Sequence, residues 1–304
     1  MMNVLILGLG SIAQKHIKAL RNNYEAVSFY ALRSTSNASN EVDVTNLFSF
    51  DQLQDIHFDF AIISNPTSYH RQSIEALIAY NIPLFIEKPI FDTLDVGALL
   101  NDLKKNEVIT YVACNLRFLG CIRFLKTFLE NKRINEVNAY CGSYLPDWRP
   151  GKDFRQIYSA NKEMGGGVHI DLIHEIDYIS WIFGLPDQVH VVKRSNSSLA
   201  ISSVDYANFL FVYPTYCTNI VLNYYRRDSK RTLEIILEDG TVYVDLLLNQ
   251  IIYNHEVIYQ SEKRIADTYD DQMRFFIANI LPGNVQFNTA YEAYEILKLC
   301  ISND

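Results

Sequence analysis

The stretch NVLILGLGSIAQKHIKAL, residues 3–20, constrains the fold more than any other in the chain. Val4 to Leu7 form a short apolar run, as in a parallel strand covered on both faces. Gly8, Gly10 and Ala13 follow as G-x-G-x-x-A. Gly8 permits a tight turn, Gly10 lets the backbone approach a pyrophosphate, and Ala13 is small enough for close helix–strand packing. A helix beginning near Ser11 then offers unbonded N–H groups and a dipole that favour an anion. Strand, glycine turn and helix together predict the start of a doubly wound α/β domain that binds a dinucleotide.

The next strand ends supply further candidates. The segment AVSFYALRS lacks the acidic residue that usually holds a ribose 2′-hydroxyl about 20 residues beyond the glycines. It offers Arg33 and Ser34 instead, which suit a 2′-phosphate, so NADP is expected in preference to NAD. Arg33 also reads as a solvated loop arginine. FDFAIISNPTSYH runs a strand into Asn65-Pro66 and then a helix, and NIPLFIEKPI runs a strand into Glu87-Lys88-Pro89. Open parallel sheets bind ligands beyond the carboxyl ends of their strands, which places Lys88 where a nicotinamide would lie. Pro89 keeps Lys88 out of helical geometry and leaves a cis bond open.

At 304 residues the chain is long for one core, so two domains are expected. A net charge of −8 argues against general nucleic-acid binding but permits an anionic small ligand in a local basic pocket. Five scattered cysteines without a CxxC pair indicate neither a zinc ribbon nor a disulfide framework, and fit a reduced, cytoplasmic setting. No apolar run reaches the roughly 18–20 residues of a membrane span. The opening MMNVLILGLG has no signal-peptide pattern. After about residue 116 the pattern changes to a helix near 118–131 and strands near 136–144, 188–195, 203–213, 217–226, 232–238 and 241–248, with Asp239-Gly240 as a hairpin turn. A closing helix is expected over about 288–301.

Within that second part, GGGVHIDLIHEID (165–177) runs three glycines into an apolar segment with two histidines. A helix from about Val168 to Phe183 puts Asp171, His174, Glu175 and Tyr178 on one face. Asp171 then orients His174 or stabilises its protonated form; the alternative is a core histidine with a hydrogen-bonded acid. A metal reading through His169, Asp171 and His174 is disfavoured because His169 points away on a single helix, so no metal is expected. The preceding loop, YLPDWRPGKDFRQIYSANKE, interleaves aromatics with basic residues. Trp148, Arg149 and Arg155 are candidates for a sugar or sugar-nucleotide contact, with a domain-crossing loop that buries its aromatics as the alternative.

GLGSIA near the N-terminus, NP-x-x-x-H at 65–70, EKP at 87–89, N-x-R-F at 115–118, GGG with Asp and His at 165–174, and EDGT at 238–241 occur in that order. As an ordered set they resemble the Gfo/Idh/MocA oxidoreductases. The resemblance implies a Rossmann domain (1–116) and an α+β substrate-binding and dimerisation domain with an open-faced mixed sheet (117–304). It implies cofactor contacts from Gly8, Gly10, Ser11, Ile12, Ala13, Arg33, Ser34, Asn65, Pro66, His70, Glu87 and Lys88. Asn115 and Arg117 would contact substrate or cofactor. Lys88, His174 and Asp171 would transfer and orient the proton as hydride moves between nicotinamide and a secondary alcohol or ketone of a sugar, cyclitol or sugar nucleotide. A homodimer or homotetramer through the C-terminal sheet is also implied. A nucleotide-sensing regulator and a glycosidase that transiently oxidises its sugar remain alternatives. In much of the family the Asp and His are four residues apart; here they are three apart, which bears on Asp171 more than on His174.

Overall fold

The apolar run at the N-terminus folds as β1 (Met2–Leu7) in the middle of a six-stranded parallel sheet. In this computed structural model, which describes residues 1–34 and 41–301, the other strands are β2 (Val27–Leu32), β3 (Val44–Leu47), β4 (Phe60–Ile63), β5 (Leu84–Ile86) and β6 (Thr110–Val112). Their order is β3-β2-β1-β4-β5-β6, so the chain changes direction across the sheet between β1 and β4. Such a switch point leaves a crevice at the strand ends. The crossovers include helices α1 (Ser11–Asn23), α2 (His70–Ile78) and α3 (Gly97–Lys105). The central strands are buried from Val4 of β1 through all of β4 and β5, with Val4, Leu5, Ile6, Phe60, Ile62, Phe85 and Ile86 at 0% exposure. That explains why they read as continuous apolar runs.

After α4 (Gly120–Phe128) comes β7 (Ile134–Tyr144), then α5 (Val168–Asp171) and α6 (Ile173–Phe183), and then β8 (Gln188–Arg194), β9 (Tyr206–Val212), β10 (Cys217–Asn223), β11 (Tyr225–Leu237), β12 (Thr241–Asp245), β13 (Gln250–Tyr253) and β14 (Glu256–Gln260). These strands form an eight-stranded sheet in the order β14-β13-β12-β11-β7-β10-β9-β8. The β7–β10 pair is parallel and its neighbours are antiparallel, so the sheet is mixed. One face carries the buried Val137, Ala139, Phe209, Phe211, Ile220, Leu222, Leu233 and Ile235. Alternate positions on the other face, among them His190, Val192, Leu210 and Glu234, are exposed, and this is the open face.

Contacts divide the chain into Met1–Cys114 with Tyr269–Leu297, and Asn115–Thr268 with the chain from Lys298 onward. A single boundary at 116/117 does not contain that return. Its physical basis is aromatic: Phe276, just after α7 (Thr268–Phe275), packs on Phe60, Phe85 and Tyr111 with ring centroids 5.0, 5.2 and 5.7 Å away. The Tyr111 hydroxyl donates to Gln272 Oε1 at 3.1 Å. The closing helix is α8 (Ala290–Ile301).

Three local expectations change. The charged run after Tyr225 belongs to β11, because a register shift between Tyr225 and Lys230 absorbs it without ending the pairing with β7. Strands β13 and β14 extend the sheet beyond the expected set. The helix expected from 168 to 183 is interrupted at Leu172, whose φ −97° and ψ 25° separate α5 from α6. No helix among the described residues is long and apolar enough to cross a membrane.

Candidate active site

In the first unit the strand ends are in register: Leu7 pairs with Leu32 and Ile63, Ile63 with Ile86, and Ile86 with Val112. Gly8, Arg33, Ser64 and Glu87 therefore leave the sheet along one edge. Gly8 has φ +94°, and a Cβ there would stand 2.3 Å from the Asn65 backbone nitrogen. A Cβ on Gly10 would meet nothing within 4 Å, so its outer side is open. No side chain caps α1 from Gly10, at the turn of Ser11, Ile12 and Ala13. A cradle without a Cβ and an uncapped helix N-terminus are what a pyrophosphate requires, so these residues fit a dinucleotide. Gly8→Ala is expected to cost about 1–3 kcal/mol from overpacking alone and to weaken nucleotide binding; thermal unfolding with and without NADH measures both.

Around this turn the polar residues are held tightly. Arg33 is half-buried, donates its backbone N–H to the Leu47 carbonyl at 2.8 Å, and is followed by the exposed Ser34. Asn65 donates from Nδ2 to Ser73 Oγ at 2.8 Å, and Pro66 beside it is exposed. His70 is 1% exposed, with Nδ1 3.1 Å from the Ile90 carbonyl and Nε2 3.0 Å from that of Asn65. Burial lowers its pKa, opposed by those carbonyls. His70 thus ties the loop after β4 to the loop after β5. Glu87 is also buried and meets His16 Nε2 of α1 at 2.5 Å, while its Oε2 accepts the Lys88 backbone N–H at 3.2 Å. The Lys88–Pro89 peptide is cis. From Leu84 to Phe91 Lys88 alone keeps partial exposure.

In the second unit the same pattern recurs. From Gly166 to Ser180 every residue is buried except Asp171 and His174, which are half-buried. The break at Leu172 splits the expected single face. Asp171, at the end of α5, accepts a hydrogen bond from the Tyr224 hydroxyl at 2.5 Å. Glu175 and Tyr178, on α6, turn into the core instead. The Arg231 guanidinium forms an ion pair with Glu175, and burial, with that carboxylate second, pushes the Tyr178 phenol and the Cys141 thiol up. His169 is buried, and its carbonyl accepts from Cys300 Sγ at 3.0 Å. Among the described residues no group of three or more His, Cys, Asp or Glu side chains is arranged to hold a metal.

A family model described as an oxidoreductase family with an NAD-binding Rossmann fold matches residues 2–114, and the GFO/IDH/MocA C-terminal domain model matches residues 122–243. The chain belongs to the Gfo/Idh/MocA family. It is thus an NAD-binding oxidoreductase family member, with the two-part α/β architecture described above. Myo-inositol 2-dehydrogenase of Thermotoga maritima is 21% identical over 93% of this chain and 89% of its own length. The structure of myo-inositol 2-dehydrogenase from Lactobacillus plantarum is 20% identical with a TM-score of 0.80, covering 98% of this chain and 95% of that one. UDP-N-acetylglucosamine 3-dehydrogenase from Acidithiobacillus ferrooxidans is 18% identical with a TM-score of 0.76, covering 99% and 96%.

The remaining candidates of this Gfo/Idh/MocA chain fall into two groups. Asn115 and Arg117 are buried: Asn115 Nδ2 donates to Thr268 Oγ1 at 2.7 Å, and Arg117 makes two bonds to Asp177, at 3.0 and 2.6 Å. Trp148, Arg149 and Arg155 are exposed on the loop after β7. Trp148 donates from Nε1 to Ser143 Oγ at 2.9 Å and meets the Tyr224 ring edge-on at 5.3 Å. The guanidinium of Arg155 lies 4.4 Å from the Phe154 ring centroid. His16, Asp177, Tyr224 and Arg231 were not singled out in the sequence. The partner of each lies 53 to 71 positions away, so no local pattern marks it.

Proposed function

We propose that this family member is an NAD(P)-dependent dehydrogenase or reductase acting on a secondary alcohol or ketone of a sugar, cyclitol or sugar nucleotide. The observation that carries the reading is the selective exposure of Lys88, Asp171 and His174, each inside an otherwise buried run. A core histidine with a structural acid has no need of such access. Bound nicotinamide supplies the hydride acceptor or donor. Lys88 or His174 exchanges the hydroxyl proton while the other polarises the oxygen, and Asp171 orients His174. The backbone from Gly8 to Ala13 holds the pyrophosphate, and Arg33 with Ser34 takes a 2′-phosphate. Asn65, Pro66, His70 and Glu87 shape the nicotinamide end, with His70 acting through the Asn65 carbonyl. Trp148, Arg149 and Arg155 contact the sugar or its phosphates, and Asn115 and Arg117 support that region from within the core. The open face of the eight-stranded sheet carries the exposed Val192 and Leu210 and is the surface through which a homodimer or homotetramer forms.

Thermal unfolding with NADH and NADPH in parallel tests the cofactor half of this reading. A ligand at 100 times its Kd stabilises by about 2.7 kcal/mol. The larger shift is expected with NADPH; a larger shift with NADH removes Arg33 from the cofactor site, and no shift with either in nucleotide-free protein defeats the reading. Myo-inositol and UDP-N-acetylglucosamine, substrates named for the relatives, are then assayed with the preferred cofactor. Glycoside cleavage without net cofactor consumption would favour the glycosidase alternative.

A further inference from the structure

Tyr224 lies between β10 and β11, and its side chain is fully buried. Its backbone is held on both sides: the N–H donates to the Asp205 carbonyl at 3.0 Å, and the carbonyl accepts from Leu145 N–H at 2.8 Å. The direction of the phenol is therefore set by the sheet. Its hydroxyl donates to Asp171 Oδ2, and the Trp148 indole packs edge-on against its ring. Burial, with the neighbouring Asp171 carboxylate and Tyr158, pushes the phenol well above its ordinary pKa. The hydroxyl thus stays protonated and remains a donor.

Asp171 needs such an anchor. It ends α5, a helix of four residues, and the break at Leu172 separates it from the longer α6 that carries His174. A single helical turn is marginal by itself and does little to fix its last side chain. We infer that Tyr224 is a positioning residue that pins Asp171 Oδ2 and thereby fixes the direction in which the carboxylate faces. Tyr224 is fully buried and acts through Asp171. The inference rests on the proposed role of Asp171 in orienting His174. It also explains how the three-residue spacing works here: rigidity comes from the sheet instead of from a continuous helix.

The test uses the full chain labelled with 15N-histidine, the His174 ring resonances being assigned from their loss in H174Q. Tyr224→Phe keeps the ring against Trp148 and removes only the hydroxyl. At fixed pH, both Tyr224→Phe and Asp171→Asn are expected to shift the His174 ring resonances, with the double variant matching Asp171→Asn alone. If Asp171→Asn shifts them and Tyr224→Phe does not, the positioning role is overturned and the reading of Asp171 stands. If neither does, Asp171 does not orient His174 and the inference falls with that reading. Should Tyr224→Phe fail to fold, a second measurement leaves Tyr224 unchanged: in 13C-tyrosine protein, a slowly exchanging downfield hydroxyl proton is expected to vanish in Asp171→Ala, which removes the acceptor oxygens. Its persistence there would show that Tyr224 donates elsewhere and overturn the inference.

Discussion

Replacing Lys88 by methionine is expected to lower kcat by about 10²–10⁴-fold, the range supplied by a positioned general acid or base, while the Kd for NADH changes little. Methionine retains an unbranched side chain of similar length but has no proton to exchange. The backbone amide of residue 88 is preserved, so its bond to Glu87 Oε2, and through Glu87 the link to His16 on α1, survives the change. The turn from Gly8 through Ala13 lies on a different strand end and is untouched. Stopped-flow turnover and fluorescence titration with NADH separate the two effects. Near-normal turnover would remove Lys88 from the chemistry. A parallel loss of NADH affinity would instead make it a cofactor ligand whose contribution is binding alone.

The largest stability effect is expected in the second unit, at the Arg117–Asp177 pair. Both side chains are almost fully buried, at 6% and 1% exposure, and they meet through two hydrogen bonds. Removing one partner strands a charge in the core, which costs about 3–5 kcal/mol. Asp177→Leu is therefore expected to destabilise strongly. The double variant Arg117→Met/Asp177→Leu replaces the pair with apolar side chains and is expected to recover most of the loss, because the desolvation of two charges is no longer required. Urea unfolding of the two single variants and the double variant gives the cycle. Additive losses would mean that each residue acts through separate contacts, such as Arg117 with the Trp181 ring 5.8 Å away.

What the sequence made legible was local. The turn at Gly8 and Gly10, the apolar strands that follow it and the Asp239-Gly240 hairpin all depend on neighbouring residues, so one chain is enough to read them. The ordered motifs then placed the chain in its family, and the family models agree. The interruption at Leu172 was invisible because the residues around it keep a helical hydrophobic pattern, and nothing in Leu itself breaks a helix. The charged run after Tyr225 reads as a loop because register shifts leave no mark in composition. Arg117 with Asp177, His16 with Glu87 and Tyr224 with Asp171 were also hidden. Each pairing is set by the packing of distant elements, and a lone buried polar residue resembles a solvated one until its neighbours are known.

The discontinuity of the first unit has a consequence for the order of events during synthesis. The six parallel strands are all made by residue 112, yet the face formed by Phe60, Phe85 and Tyr111 waits for Phe276, and Tyr111 waits for Gln272. Domains ordinarily fold from the N-terminus as they emerge from the ribosome. Here the earlier-made domain cannot close before almost the whole of the later one has been translated. The second unit, most of which lies in the intervening stretch, has a late segment of its own from Lys298 onward, where Cys300 bonds to the His169 carbonyl, so it too is completed only at the end of synthesis. A nascent chain halted near residue 260 would carry an open aromatic face on its N-terminal half and be a natural client for chaperones that bind exposed apolar surface.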